Sequence, residues 1–513
     1  MKTLPRLNPA AFVSAALAIL VYFFYFTNGG LRTGFSHDDL MNMWRAWQDP
    51  MPHIAKENLF FFLYPTYYRP LGTLFYHAFY NAFGLHALPY RICMLAFLLA
   101  NIYLVYAFAA RVSHSREIGG LTALLHAYRM GFNPLFRNTG TCYDIVCCFF
   151  YLSALVLYLR IRQQERPLRP LEQIGILGLL VCALDAKEIA VTLPVMMLLY
   201  EAIYNPPPAR QPRFLLAWLI REAPVACWGL FLDLAFIVGK IYWTGGVGRI
   251  NGAYRVSFGL AAFMQGLRHD LDEVFVTWGT NVFRPRNLII VLLLLVLFAW
   301  RSRLLYFRYA LLFWLVGALP VEMIPSRSIY AIYIPLAGFD LCMATLLVEL
   351  RDWLWRGIQR LGNLRDPLGL RQVLTFILLL LVLTRFYIFK AARRENWEVE
   401  QSHQIRFVIQ ALRAQLPVAK KGARILFVND PFEKAVGAEW ATVFVTNLLY
   451  RDSTIQQDRM WLMPEPPDTA RLKQYDYIFA MTGEKLVLLA PGLLPALPPP
   501  RPPLRAPAGT PAS

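Results

Sequence analysis

Uninterrupted apolar runs constrain this chain more than any other feature. Ala11 to Thr27 reads AFVSAALAILVYFFYFT without a charge, Asn287 to Trp300 reads NLIIVLLLLVLFAW, and Val373 to Phe389 reads VLTFILLLLVLTRFYIF with a single Arg. Helical runs of about 17–25 such residues match the hydrocarbon thickness of a bilayer. Backbone amides in lipid must be paired within the segment, which selects helices over open sheets. The composition agrees: 57% of the 513 residues are hydrophobic and 16% charged, whereas a soluble domain stands nearer a half and a quarter. The first run follows Lys2 and Arg6, but no small-x-small cleavage site comes cleanly after it, so it reads as an uncleaved first helix.

The pattern predicts an all-α polytopic membrane protein of about eleven spans. They lie near 11–27, 90–111, 118–136, 142–160, 172–187, 189–204, 218–243, 287–300, 304–320, 329–349 and 372–390. The third is interrupted by His126, Arg129 and Asn133, and the seventh carries Arg221 and Glu222 near its start. With the N-terminus inside, the inside loops hold Arg111 and Arg116, then Arg160, Arg162, Arg166 and Arg169, then Arg210 and Arg213, then Arg301, Arg303 and Arg308, and finally Arg351, Arg356, Arg360, Arg365 and Arg371. The opposite loops are longer and poorer in basic residues, the asymmetry expected when the N-terminus is on the inside. An odd number of spans places the C-terminal segment outside.

The formal net charge of +18 does not form a patch. Basic residues punctuate the ends of apolar segments, so nucleic acid is not the expected partner; membrane lipid is. The seven cysteines fall mostly within apolar segments without metal-ligand spacing and read as small buried residues.

Residues 1–390 are thus expected to form the membrane domain and 391–490 a small α/β domain outside it. Within the latter, Ala423 to Asn429 and Tyr475 to Ala480 read as strands, and Asn396 to Leu416 and Gly437 to Tyr450 as helices. From 491 to 513 the chain is rich in Pro and poor in large apolar groups, a composition expected to remain disordered.

Residues 28–89 form the first outward loop, which begins NGGLRTGFSHDDLMNMW. Two adjacent carboxylates, Asp38 and Asp39, can repel and raise one pKa, which suits a general base. With His37 they could instead hold a divalent cation, and a solvated turn or the N-cap of a helix over Leu40 to Gln48 also explains them. Further on, aromatics dominate Phe60 to Tyr80, with Arg69 and His77 among them, as in an interfacial amphipathic helix or an aromatic belt. On the same face fall Lys187 and Glu188 (LDAKEIAVTLP) and the junction LPVEMIPSRSIYAIYIPLAGF with Glu322, Arg327 and Tyr330. Lys187 and Arg327 could bind a phosphate; a local ion pair and a snorkelling Arg explain them equally. The loop 244–286 carries Arg249, Arg255, Arg268, Asp272, Glu273, Arg284 and Arg286 without a metal or nucleophile pattern. A carboxylate facing basic groups points to transfer from a phosphate-linked donor.

Over about residues 10–390 the chain resembles the GT-C superfamily of membrane glycosyltransferases, especially bacterial relatives of the protein O-mannosyltransferases and of the tetratricopeptide-bearing transmembrane mannosyltransferases. The resemblance lies in HDDLMNMW, YYRPLGTLFYHAFY, YDIVCCFFYLSALVLYLR, AKEIAVTLPVMMLLYE and YIPLAGF. It implies a polyprenyl-phosphate sugar as donor and a hydroxyl of a protein, lipid or glycan as acceptor, with inversion at the anomeric carbon. It implies that Asp38 or Asp39 is the base, Asp38 by preference, and that Lys187 and Arg327 hold the leaving phosphate. Where relatives commonly carry Arg before the last motif this chain has Tyr330, with Arg327 one turn earlier, and Lys240 closes the seventh span where an Arg is frequent. No tetratricopeptide array follows, and no metal or other cofactor is clearly implied. Two alternatives remain open: a transporter or flippase, drawn from Arg129, Arg221 and Asp233 within the membrane, and a non-catalytic scaffold.

Overall fold

In a computed structural model of the chain, the described residues are 20, 24, 29–60, 69–127, 132–207, 211–243, 256–275, 277, 280–324, 327–362, 373–375, 377, 380, 384, 397–432, 441–465 and 467–489. The chain is mostly helical, with one small sheet near the C-terminus. It divides into two compact units: Met1–Arg32, Pro50–Phe75 and Leu88–Asn396 form the first, and Thr33–Asp49, Tyr76–Ala87 and Trp397–Ser513 the second.

Among the described residues, three helical segments are long and apolar enough to cross a membrane: Ala87–Ser113, Thr139–Arg162 and Leu305–Glu322. A bent pair, Arg213–Glu222 with Pro224–Lys240, makes a fourth if it is one span. These helices are those of an integral membrane protein, but fewer than the eleven expected. The apolar runs 11–27 and 372–390 fall largely outside the described residues. Pro170–Ala186 and Pro285–Arg301 are 17 residues each, about 25 Å of helix against a core of about 30 Å.

Helices of the first unit are α2 (Met51–Leu59), α4 (Ala87–Ser113), α5 (Arg116–Ala127), α6 (Asn133–Arg137), α7 (Cys142–Arg162), α8 (Pro170–Ala186), α9 (Leu193–Tyr204), α10 (Pro212–Glu222), α11 (Pro224–Trp243), α12 (Leu260–Phe275), α13 (Pro285–Arg301), α14 (Leu305–Glu322) and α15 (Leu336–Gly362). The seventh expected span, 218–243, is broken. A residue before proline is driven out of the helical region, and Ala223 before Pro224 takes φ −124° and ψ 34°. The axis turns by 92° there. The tenth, 329–349, also starts differently. Ile329–Ile332 is a 3-10 turn, and α15 begins only after Pro335. The third is shorter as an α-helix, since α5 ends at Ala127 and Arg129 lies outside the described residues.

The two ends of α7 set the scale of this unit. Near its start Asp144 pairs with Lys187. At its end Arg162 donates two bonds to Glu201, 2.7 and 2.9 Å, and one to Glu222, 2.6 Å. The 18 helical steps from Asp144 to Arg162 amount to about 27 Å, close to the thickness of a hydrocarbon core. Along α15 the start packs on α14 so closely that a Cβ at Gly338 would stand 2.6 Å from the Ala310 carbonyl oxygen.

The second unit contains α1 (His37–Gln48), α16 (Trp397–Gln415), α17 (Ala441–Tyr450), the single turn α18 (Thr469–Leu472) and a sheet of order β2-β1-β3-β4. α3 (Pro70–Phe83) begins in the first unit and ends in the second. β1 (Arg424–Phe427) pairs in parallel with β2 (Gln456–Arg459) and with β3 (Tyr477–Thr482), and β4 (Lys485–Leu489) returns antiparallel on β3. Leu426, Val428, Leu472, Tyr475 and Ala480 form a core on the sheet. Two pieces of the first loop belong here. Tyr80 Oη donates to Leu448 O at 2.6 Å, His77 Nδ1 donates to Ala46 O at 2.8 Å, and Trp44 packs on Phe444. Tyr76 and Tyr80, expected in an aromatic belt or interfacial helix, are fully buried core residues. Those pieces of the first loop and the C-terminal segment therefore lie on one side of any bilayer.

At the carboxyl edge of this sheet Arg459 clamps Asp430 with bonds of 2.7 and 2.6 Å, and its guanidinium lies 4.6 Å from the Trp461 ring. Both partners are buried. Arg459→Met leaves a buried carboxylate uncompensated and is expected to cost about 3–5 kcal/mol. Hydrogen exchange on the full chain in detergent should show loss of protection across β1 and β2 first; unchanged protection would contradict the assignment.

Candidate active site

The acidic pair has two fates, and the reason is local. Ser36 is the N-cap of α1, and Asp39 is its third helical residue, so the two form a capping box. Ser36 N donates to Asp39 Oδ2 at 2.8 Å, and Asp39 N donates to Ser36 Oγ at 3.2 Å. The other carboxylate oxygen accepts from Tyr76 Oη at 2.7 Å, and the residue has no exposed surface. Asp38, one residue earlier, points to the surface. Although it is exposed, the protein around it withholds enough water to raise its carboxyl above the ordinary value. The cause is desolvation, not the repulsion between neighbours that the spacing suggested.

His37 stands edge-on to Phe432, with ring centroids 5.2 Å apart. Among the described residues, no group of three or more His, Cys, Asp or Glu can hold a metal. The His37, Asp38 and Asp39 donor set does not fit a cation, because Asp39 is already committed to the cap and to Tyr76.

A second set of charges gathers in the first unit. α8 ends at Ala186. Lys187 is extended, with φ −161° and ψ 145°, and a 3-10 turn over Glu188–Thr192 leads into α9. This break presents Lys187 and Glu188 side by side. Lys187 pairs with Asp144, and its ammonium lies 6.0 Å from the Tyr330 ring. Glu188 accepts from Arg69 Nη2 at 3.0 Å, and Arg69 lies 5.1 Å over the Tyr143 ring. Lys240 of α11 is close enough to interact electrostatically with Glu188 and Asp185. α3 starts tightly against this cluster, since a Cβ at Gly72 would collide with the Tyr143 ring.

Four of the sequence candidates, Arg69, Lys187, Glu188 and Tyr330, are thus brought together, while Asp38, Asp39 and His37 belong to the second unit. Arg327 is half-buried, two residues ahead of the Ile329–Ile332 turn. Glu322 lies elsewhere: its buried carboxyl is hydrogen-bonded to that of Asp270. Two carboxyls so joined share a proton, and burial together with Glu322 pushes the Asp270 carboxyl well up. Glu322 therefore braces α12 against α14. Asp144 and Tyr143 were not singled out from sequence, whereas Asp185 was read there as a residue that could orient Lys187. The signal for Asp144 was its place in YDIVCC, just inside an apolar helix where an unpaired acid is costly.

No family model matches the chain, and no curated protein matches it. Among solved structures it is similar to the archaeal oligosaccharyltransferase AglB from Archaeoglobus fulgidus, in complex with an inhibitory peptide and a dolichol-phosphate. The TM-score is 0.47 and the identity 12%, over 90% of this chain and 69% of that one. A likeness that loose decides nothing about function.

The two aspartates should separate by stability. Asp39→Ala removes a cap and a buried hydrogen bond and is expected to cost about 1–3 kcal/mol. Asp38→Ala, at an exposed position, should leave the melting temperature nearly unchanged. Thermal unfolding of both variants in detergent checks this; equal losses would contradict it.

Proposed function

We propose that the protein is an inverting glycosyltransferase of the GT-C kind, moving a sugar from a polyprenyl-phosphate donor to an acceptor hydroxyl. It would act at the outer face of a bacterial inner membrane, with the N-terminus cytoplasmic. The observation that carries this reading is the cluster of Arg69, Lys187 and Lys240 beside Tyr330, at a helix break within an apolar unit. A phosphate headgroup on a lipid tail is the ligand whose charge and apolar chain both suit such a place.

The roles follow from exposure and charge. Asp38 is the general base: it takes the hydroxyl proton as the acceptor oxygen attacks the anomeric carbon. The bond from that carbon to the phosphate oxygen breaks, and polyprenyl phosphate leaves as an anion that needs no proton. Lys187, Arg69 and Lys240, with Arg327 from just ahead of the Ile329–Ile332 turn, stabilise the negative charge that collects on the leaving oxygen. Glu188 and Asp144 hold the cations in place before the donor arrives. Asp39 supports Asp38 by fixing the first turn of α1.

In proteoliposomes supplied with polyprenyl-phosphate sugars, Asp38→Asn should reduce transfer by at least about a hundredfold without changing donor KM. A base works only when ionised, so the wild-type rate should rise with pH through a value above the ordinary carboxylate range, the direction set by desolvation of Asp38. Full activity of Asp38→Asn, or a rate independent of pH there, would sink the assignment. Lys187→Met should instead raise donor KM by about tenfold or more.

One observation favours the transport reading: neither carboxyl oxygen of buried Asp233 in α11 has a hydrogen-bond partner among the described residues. Arg221 does not join it, since its side chain is 87% exposed. Substrate movement without covalent turnover, lost in Asp233→Leu, would establish that reading in place of the enzyme.

A further inference from the structure

We infer that the buried pair His126 and Asp340 positions the donor-phosphate end of the first unit, acting through Tyr333 and Tyr330. This rests on the donor-site reading above.

His126 lies in the last turn of α5 and Asp340 in the second turn of α15. The imidazole Nδ1 donates to Asp340 Oδ2 at 2.9 Å, and the two side chains are 0% and 1% exposed. A polar pair so deep in an apolar unit costs desolvation that a hydrophobic pair would not. Clamping α5 to α15 does not by itself call for it. Arg351 already joins these helices further along through Glu117, and α5 also buries apolar residues such as Leu121 and Leu125.

What the pair adds is a fixed ring plane. The imidazole stacks on Tyr333, with centroids 4.7 Å apart and planes at 28°. Phe132 closes edge-on against both rings, at 5.3 Å from His126 and 4.8 Å from Tyr333. Imidazole rotation would undo the stack, and the Asp340 carboxylate prevents it by holding Nδ1. Tyr333 in turn caps the Ile329–Ile332 turn, donating its backbone N–H to Tyr330 O at 3.1 Å. Tyr330 is the residue whose ring faces the Lys187 ammonium. A chain of contacts thus runs from Asp340 through His126, Tyr333 and Tyr330 to Lys187. The turn it fixes is short and is followed by Pro335.

His126 and Asp340 are positioning residues, not catalytic ones, and their removal should appear in donor affinity. The single variant His126→Leu strands a buried carboxylate and compromises folding. The informative variants are the double substitution His126→Leu with Asp340→Leu, which removes both polar partners, and Tyr333→Leu, which removes the stacked ring and leaves the pair. Full-length protein in nanodiscs is titrated with a polyprenyl phosphate, and transfer is measured in parallel.

Each folded variant should bind polyprenyl phosphate about tenfold more weakly and show a matching rise in donor KM, with acceptor KM unchanged. If a folded variant binds as tightly as wild type, the positioning role is wrong while the donor reading stands. If the wild type binds no polyprenyl phosphate, the donor reading fails and takes this role with it. If the double variant does not fold, Tyr333→Leu alone decides.

Discussion

Everything in the first unit follows from the cost of leaving an ionic group alone in an apolar medium. Desolvating a carboxylate or an ammonium costs several kcal/mol even after the protein relaxes, so each buried charge must find a partner or a proton. α7 has Asp144 near one end and Arg162 at the other. Lys187 and the helix break that carries it meet the first; Glu201 of α9, and Glu222 at the bend between α10 and α11, meet the second. The partners come from helices far apart in sequence, and the pairing sets how α8, α9 and the α10–α11 bend sit against α7. The break at Lys187 and Glu188 is therefore a consequence of bringing charges to the end of a span.

The same constraint bears on ligand binding. Arg69 is paired with Glu188 and Lys187 with Asp144, so these two cations are already balanced by carboxylates. A phosphate donor of the kind proposed would compete with carboxylates already present. The two pairs differ in how readily they yield. Arg69 and Glu188 retain 21% and 32% side-chain exposure, Lys187 and Asp144 12% and 6%. The more hydrated pair loses less when it opens, because water can solvate Glu188 as it withdraws. Arg69 is the cation best placed to change partners, and Lys187 to stay as a fixed charge beneath Tyr330.

Among the described residues, sequence reading reached the apolar helices Ala87–Ser113, Thr139–Arg162 and Leu305–Glu322. It reached β1, β3, α16 and α17 because each has a compact apolar pattern. It missed β2, since QQDR at the sheet edge has no apolar alternation, and β4, which follows a two-residue turn. It also read the seventh span as continuous, although Pro224 marks the break. Pairing across long sequence distance was not legible. Nothing in YDIVCC names Lys187 as the partner of Asp144, and nothing in the first loop announces that Tyr76 and Tyr80 belong to the core of a unit completed more than 300 residues later.

Asp38 and Asp39 show where local physics does discriminate. Ser36 and Asp39 have the spacing of a capping box, and a capping box consumes the carboxylate at its third position. That leaves the adjacent acid without a structural duty in the cap, and helix geometry turns it about 100° away from its neighbour. One carboxylate is fixed so that the other can be held in a constant direction at a surface. Of two adjacent acids at a helix start, then, the one three residues after a Ser serves the fold. The one before it is the residue whose chemistry remains to be used.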